Sequence, residues 1–224
     1  MANESDVIIR PYRPSDRVII RKINYETSFL HQPHLFCDDP EIVADALTRY
    51  YTDFEPEACF VAEVNGQVIG YVIGTLNIRK MNREYLGRIL LPVLGKALWR
   101  GVLFHPKTLA FAYHSLKSYL KGEFRVPDFS HQYPSTFHIN VRDGYRGQRV
   151  GSRLILRAVQ LLYDKNVPGV QFSTMSQDPN DFFISMGFHI VYDSRRTFLK
   201  YALGRETPFY LFGMSVQDRP QQAS

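Results

Sequence analysis

The chain is poor in the residues that build cross-linked or metal-stapled folds: two cysteines and one tryptophan in 224 residues. Cys37 and Cys59 are far apart, and each has a phenylalanine neighbour, Phe36 and Phe60. They read as buried thiols of a reducing compartment, which excludes a disulfide scaffold. No apolar run is long enough to span a bilayer, and no basic-then-apolar leader opens the chain. The expectation is a soluble, cytoplasmic protein without a membrane span. Net charge is only +5, which suits an anionic ligand but falls short of a nucleic-acid-binding tail, and no base-reading or stacking motif is present. His31, His34 and Cys37 are metal-ligand types three residues apart. Pro33 prevents a regular helix there and no second ligand cluster follows, so a surface loop is expected and no metal site.

What is present is core material, with 45% hydrophobic and 14% aromatic residues. That suffices for one generous domain over 1–224, frayed at 1–6 and ending in a loose polar tail, 217–224. Val7–Tyr12 reads as a strand. Pro14-Ser15-Asp16 offers caps to a helix over about 17–30, and Asp38-Asp39-Pro40 opens a second helix through Tyr50. Residues 58–64 and 67–74 form the clearest hairpin, joined at Asn65-Gly66 by residues suited to a type I′ turn.

The most informative stretch runs from Phe137 to Leu156. Phe137, Ile139 and Val141 alternate with His138 and Asn140, the period of a strand. From Leu154 onward the apolar residues fall on a helical face. Between them Arg146-Gly147-Gln148-Arg149-Val150-Gly151-Ser152 places small and basic residues where a helix starts. Free N–H groups and the positive end of the helix dipole bind anions there, and glycine lets a phosphate approach the backbone. After that helix come a strand over 167–174 and Asp178-Pro179-Asn180-Asp181 as a cap. The next helix ends at Gly187, Phe188 opens a further strand, and a final strand spans about 209–216.

The run Val141-x-x-x-x-Arg146-Gly147-x-x-x-Gly151 resembles the coenzyme A signature of the GNAT superfamily of N-acetyltransferases, with Arg149 at its usual first glycine. The opening Ile-Arg-Pro-x-x-x-x-Asp and the hairpin ending Gly-Tyr-x-x-Gly are also similar to that family. So is the stretch from Ser176 to Phe188, which follows its second motif. There Ser176 replaces an asparagine, and Phe183 stands where a tyrosine often protonates the departing thiolate. The likeness covers residues 7–77 and 135–216. A shorter stretch, 50–61, resembles the acetyltransferase-like domain appended to some O-GlcNAc hydrolases.

The resemblance implies an α/β (α+β) fold with a mixed, mostly antiparallel sheet flanked by helices. It implies acetyl-CoA as cosubstrate and direct attack of an amine on the thioester. The implied cofactor contacts are Ile139, Asn140 and Val141 along the pantetheine, Gln148 to Ser152 at the pyrophosphate together with Arg146 and Gly147, and Asn180 and Phe183 nearby. A strand N–H near Val141 could meet the developing oxyanion. His138 has the ordinary pKa of a base for the amine, if strand alternation turns it to the cleft. Glu55, Glu57 and His189 are alternatives. The acceptor is a small-molecule or peptide amine that the sequence does not name, and a homodimer is compatible with the chain. An acyl-CoA-binding sensor without catalysis is the alternative function.

Residues 78–134 are an insertion before the signature strand, with helical apolar spacing in two segments, the first interrupted by Pro92. From Ile78 to Arg125 there are ten Lys/Arg against two Glu, so 10 − 2 gives +8, and the rest of the chain carries 5 − 8, or −3. Three readings stand open: a helical pair with a basic polar face, a lid for an acidic acceptor, or an interfacial helix on anionic lipid.

Overall fold

The computed structural model describes residues 7–177 and 180–218. The expectations for residues 1–6, for the cap at Asp178-Pro179 and for the end of the tail lie outside these residues. The seven strands are β1 (Ile8–Pro11), β2 (Cys59–Val64), β3 (Gln67–Thr75), β4 (Ser135–Val141), β5 (Gly169–Thr174), β6 (His189–Arg196) and β7 (Thr207–Ser215). They form one sheet in the order β1-β2-β3-β4-β5-β7-β6. Every neighbouring pair is antiparallel except β4 with β5. This is the mixed, mostly antiparallel sheet flanked by helices that the sequence implied.

Each face of the sheet carries its own core. On one side α6 (Val150–Asp164) lays Leu154, Ile155, Ala158, Val159 and Leu162 against Phe60, Val72, Phe137 and Phe172. On the other side α1 (Arg17–His31) and α2 (Pro40–Phe54) bring Ile20, Ile23, Tyr50 and Tyr51 onto Val61, Tyr71 and Ile73. Alternation along β3 therefore sends Val72 one way and Tyr71 and Ile73 the other. The β2–β3 hairpin turns at Asn65 (φ 49°) and Gly66 (φ 76°), the two positive angles a type I′ turn requires.

The insertion is helical. α3 (Ile78–Tyr85) runs through a π-turn over Leu86–Leu90 into α4 (Leu91–Trp99), and α5 (Pro106–Leu120) follows. Pro92 does not break the helix. It sits in the first turn of α4, and the π-turn, closed by the Leu91 N–H on the Leu86 carbonyl, accommodates it. Two short helices complete the chain: α7 (Asn180–Ser185), and α8 (Lys200–Leu203), which the sequence did not suggest. Gln217 and Asp218, expected in the loose tail, finish a 3-10 turn.

Candidate active site

β4 and β5 pair at only two positions, Ser135 with Val170 and Thr136 with Gln171. Beyond them the strands part, while β4 stays paired with β3 to Val141 and β5 with β7 to Thr174. The stacked rings of Phe137 and Phe172, 5.0 Å apart, close the floor of this wedge. Burial follows the parting: Ser135 to Phe137 are buried, whereas His138 to Val141 are open or half-buried.

Alternation assigns the β4 side chains to opposite walls. Ile139 and Val141 pack toward α6 with Phe137. His138 and Asn140 point to the α1–α2 side. His138 meets the edge of Tyr51 at 5.6 Å, and solvent still reaches its ring. Dense protein around the ring strips hydration from the imidazolium and holds the pKa below the ordinary histidine value. A neutral imidazole at neutral pH has a lone pair ready to take a proton.

Two residues further, Asn140 donates to the Tyr71 hydroxyl at 2.7 Å, and buried Asn24 of α1 donates to the same oxygen at 2.9 Å. Burial pushes the Tyr71 pKa up to about 12, so the phenol stays protonated. The amide nitrogen of Asn140 is thereby held inward, and among the described residues its Oδ1 has no hydrogen-bond partner. Tyr71 of the Gly-Tyr-x-x-Gly motif and Tyr51 of the 50–61 stretch were noted for resemblance alone, and neither they nor Asn24 were read as site residues from the sequence. The signal was there in Asn24, a polar residue on the apolar Ile20–Ile23 face of α1, since a buried amide needs a partner.

The loop after β4 builds the other half of the site. Gly144 and Gly147 have φ of 90° and 77°, and Arg149, at the N-cap of α6, has φ 56°. The left-handed angle explains why the family places a glycine there: an arginine holds it at a cost of about 1 kcal/mol. No side chain caps the helix through this residue. The first N–H groups of α6, from Val150 to Ser152, thus retain the capacity to bind an anion. Gln148 closes the loop with a 2.9 Å bond to the Gly144 carbonyl. Arg146 donates to the Val141 carbonyl at 3.2 Å, lies 3.3 Å from Asp143 and reaches His31 at 3.3 Å, so its guanidinium stands at the lip of the wedge. Gly151 has a packing reason as well: a Cβ there would meet the Phe182 ring at 3.3 Å.

Of the remaining sequence candidates, Asn180 opens α7 with a buried Oδ1 that has no partner among the described residues. Phe183 is only 7% exposed. Its ring lies among Phe172, Phe182 and Phe212, at 4.5, 5.2 and 5.5 Å, so it is a core residue and does not line the wedge. Glu55 is buried and tied up by Tyr50 (2.9 Å), Thr75 (2.8 Å) and the Leu76 N–H (3.1 Å), and anchors the end of α2 to β3. Glu57 is exposed, and His189 is bonded to Tyr133 at 3.1 Å. Among the described residues no cluster of His, Cys, Asp and Glu could hold a metal ion. No helix among them is long and apolar enough to cross a membrane.

A sheet that parts beside an uncapped helix N-terminus, with a signature loop between, is the arrangement that the sequence resemblance implied. The model of the acetyltransferase (GNAT) family matches residues 29–188, and the chain belongs to that family. None of the curated proteins matches it in sequence. Among solved structures, SsHAT is similar with a TM-score of 0.70 at 23% identity, covering 94% of this chain and 98% of that one. A polyamine N-acetyltransferase of Drosophila melanogaster that forms N-acetylagmatine gives 0.60 at 14% identity, covering 94% and 100%. The yncA protein of Salmonella typhimurium, solved with acetyl-CoA, gives 0.56 at 15%, covering 98% and 97%. The further likeness of residues 50–61 to the O-GlcNAc hydrolases is not shown by these comparisons.

Proposed function

We propose that the protein is an acetyl-CoA-dependent N-acetyltransferase, acting as one unit with a helical insertion, and that its acceptor is a small-molecule or peptide amine. One observation carries the reading. The strand wedge opens on one side to an uncapped helix N-terminus and on the other to His138, against Tyr51 on the α1–α2 face. The chain's own groups fit the cosubstrate: the N–H groups of Val150 to Ser152 and the Arg146 guanidinium suit the pyrophosphate, and the orphaned Asn180 Oδ1 is a further polar contact. Acetyl-CoA, when bound, supplies the activated acetyl group. His138 takes the proton of the incoming amine, Asn140 presents its carbonyl oxygen to the same amine, and the β4 backbone near Val141 stabilises the developing oxyanion. Phe183 has no proton to give and is packed away, so the thiolate takes its proton from water or from a group such as Ser176. A sensor without catalysis is disfavoured, because the family and the similar folds are those of acetyltransferases. The test is a thermal shift followed by thiol release over a panel of amines. Acetyl-CoA at about one hundred times its dissociation constant should stabilise the fold by roughly 2.7 kcal/mol. An unmoved melting temperature would overturn the reading.

A further inference from the structure

The insertion presents its most apolar side to solvent. Thirteen of the eighteen exposed large apolar side chains among the described residues lie between Leu86 and Phe124. On the helix through α4, the stripe Ile89, Val93 and Ala97 is buried against α2, and Leu86, Leu90, Leu94 and Leu98 are exposed beside it. α5 repeats the arrangement. Its inner face is held by Phe111 against Phe36 and Phe198, by His114 stacked on Tyr201 at 4.3 Å, and by Ser118 on Thr197 at 3.1 Å. Its outer face is Leu109, Tyr113, Leu116 and Leu120. Trp99, 86% exposed, ends α4, and Phe104, 69% exposed, lies between the two helices in the chain. The inner faces are already covered, so the fold does not explain why the outer faces are apolar. Patches of this kind mark an interaction surface.

Charge selects the occupant. From Tyr85 to Gly122, 38 residues contain six Lys/Arg and no Asp or Glu. Lys96, Arg100 and Lys107 are spent on Asp45, Asp39 and Asp38 of the domain beneath. Lys117 is exposed on α5 beside the Leu116–Leu120 column, and Arg83 and Arg125 are exposed near the ends of the segment. Among the described residues these three have no carboxylate partner. A second copy docked face to face would set such cations against their own equivalents and supply no acid. A bilayer rich in anionic lipid supplies apolar depth for leucine, an interface for tryptophan and tyrosine, and negative headgroups within reach of lysine.

We infer that the outer faces of α4 and α5 form a peripheral docking surface for anionic membranes. This goes beyond acyl transfer and does not rest on it. Trp99 is the chain's one tryptophan, so its emission reports the contact directly. The full chain is mixed with phosphatidylcholine vesicles with and without phosphatidylserine. Emission should shift to the blue, and protein should sediment, with the phosphatidylserine vesicles only, and salt should reverse both. Lys117→Glu with Lys121→Glu should lower partitioning by on the order of tenfold or more. Leu116→Glu with Leu120→Glu should abolish it, with the melting temperature unchanged because all four positions are exposed. Unmoved emission and no sedimentation with anionic vesicles would overturn the proposal. So would a concentration-dependent blue shift without lipid that tracks a dimer in sedimentation velocity, since the occupant would then be a second copy.

Discussion

At the scale of single residues, His138 shows what the sequence could and could not say. Its place on a strand beside the signature loop was legible, but the face it takes was not, because period-two alternation fixes only relative orientation. The buried neighbours Phe137 and Tyr71 settle the matter: they send Phe137 to α6 and His138 to α2. Arg149 was legible as a departure from a pattern, whereas its left-handed backbone needed coordinates. For Phe183 the aromatic packing was not legible, since a motif position says nothing of which way a ring turns in an aromatic core. The lowered pKa of His138 gives a prediction with a definite sign. The folded protein keeps the imidazole neutral below the ordinary value near 6.5, so kcat/KM should fall only on acidifying below about pH 6.5. His138→Gln should remove that limb and lower kcat by about 10²–10⁴-fold. The same group makes stability fall with acidity from about pH 6.5 down to the lowered folded pKa, because the unfolded chain binds the proton first. An acid limb that survives the substitution would transfer the role of base to another group.

At the scale of elements, the hairpin, the signature strand and α6 follow from local pattern and turn chemistry, and all three occur within a few residues of where the sequence puts them. The insertion was legible as helical, yet its docking was not, because that depends on pairs between residues far apart in the chain. Its excess positive charge is in good part an attachment device. Lys96 and Arg21 both meet Asp45 of α2, Lys96 at 2.8 Å, and Arg100 adds Asp39 and Glu41 at 3.0 Å each. This weighs against a lid that recruits an acidic acceptor with those same charges. Burial alone would raise the Asp45 pKa, but the hydrogen bonds from Arg21 and Lys96 outweigh it and hold the carboxylate below the usual range. Asp45→Asn leaves two cations facing each other without the charge between them. It should cost roughly 1–3 kcal/mol, the range for a lost charged hydrogen bond with partly solvated partners. Urea unfolding measures this. In the parent the contribution is complete above about pH 4 and is lost as pH falls through the lowered folded pKa. A midpoint unchanged by Asp45→Asn would mean that the apolar stripe Ile89–Val93–Ala97 holds the insertion by itself.

At the scale of the whole molecule, the sheet acts as a partition. The α6 loop and Arg146 lie at one end of the wedge, while His138, Asn140 and their supports Tyr51, Tyr71 and Asn24 are held by the α1–α2 layer. Among the described residues the two halves meet where β4 passes between them and at the contact of Arg146 with His31, so damage to each should appear mainly in a different constant. Arg146→Ala removes a guanidinium from the lip and should weaken acetyl-CoA binding by about ten- to one-hundredfold, the usual worth of a charge-assisted contact, with kcat at saturation nearly kept. His138→Gln should do the reverse, lowering kcat while leaving the calorimetric dissociation constant for acetyl-CoA within about twofold. In the double variant the losses in kcat/KM should multiply, because sites without shared partners add in free energy to within about 0.5 kcal/mol. The exception to watch is the 3.3 Å contact of Arg146 with His31, which ties the lip to the end of α1. If α1 shifts when Arg146 is removed, Asn24 shifts with it, the Tyr71–Asn140 relay loosens, and kcat falls in the single variant. Multiplicative losses with separate constants would support the partition, and a kcat defect in Arg146→Ala that His31→Ala reproduces would show that α1 couples the two halves.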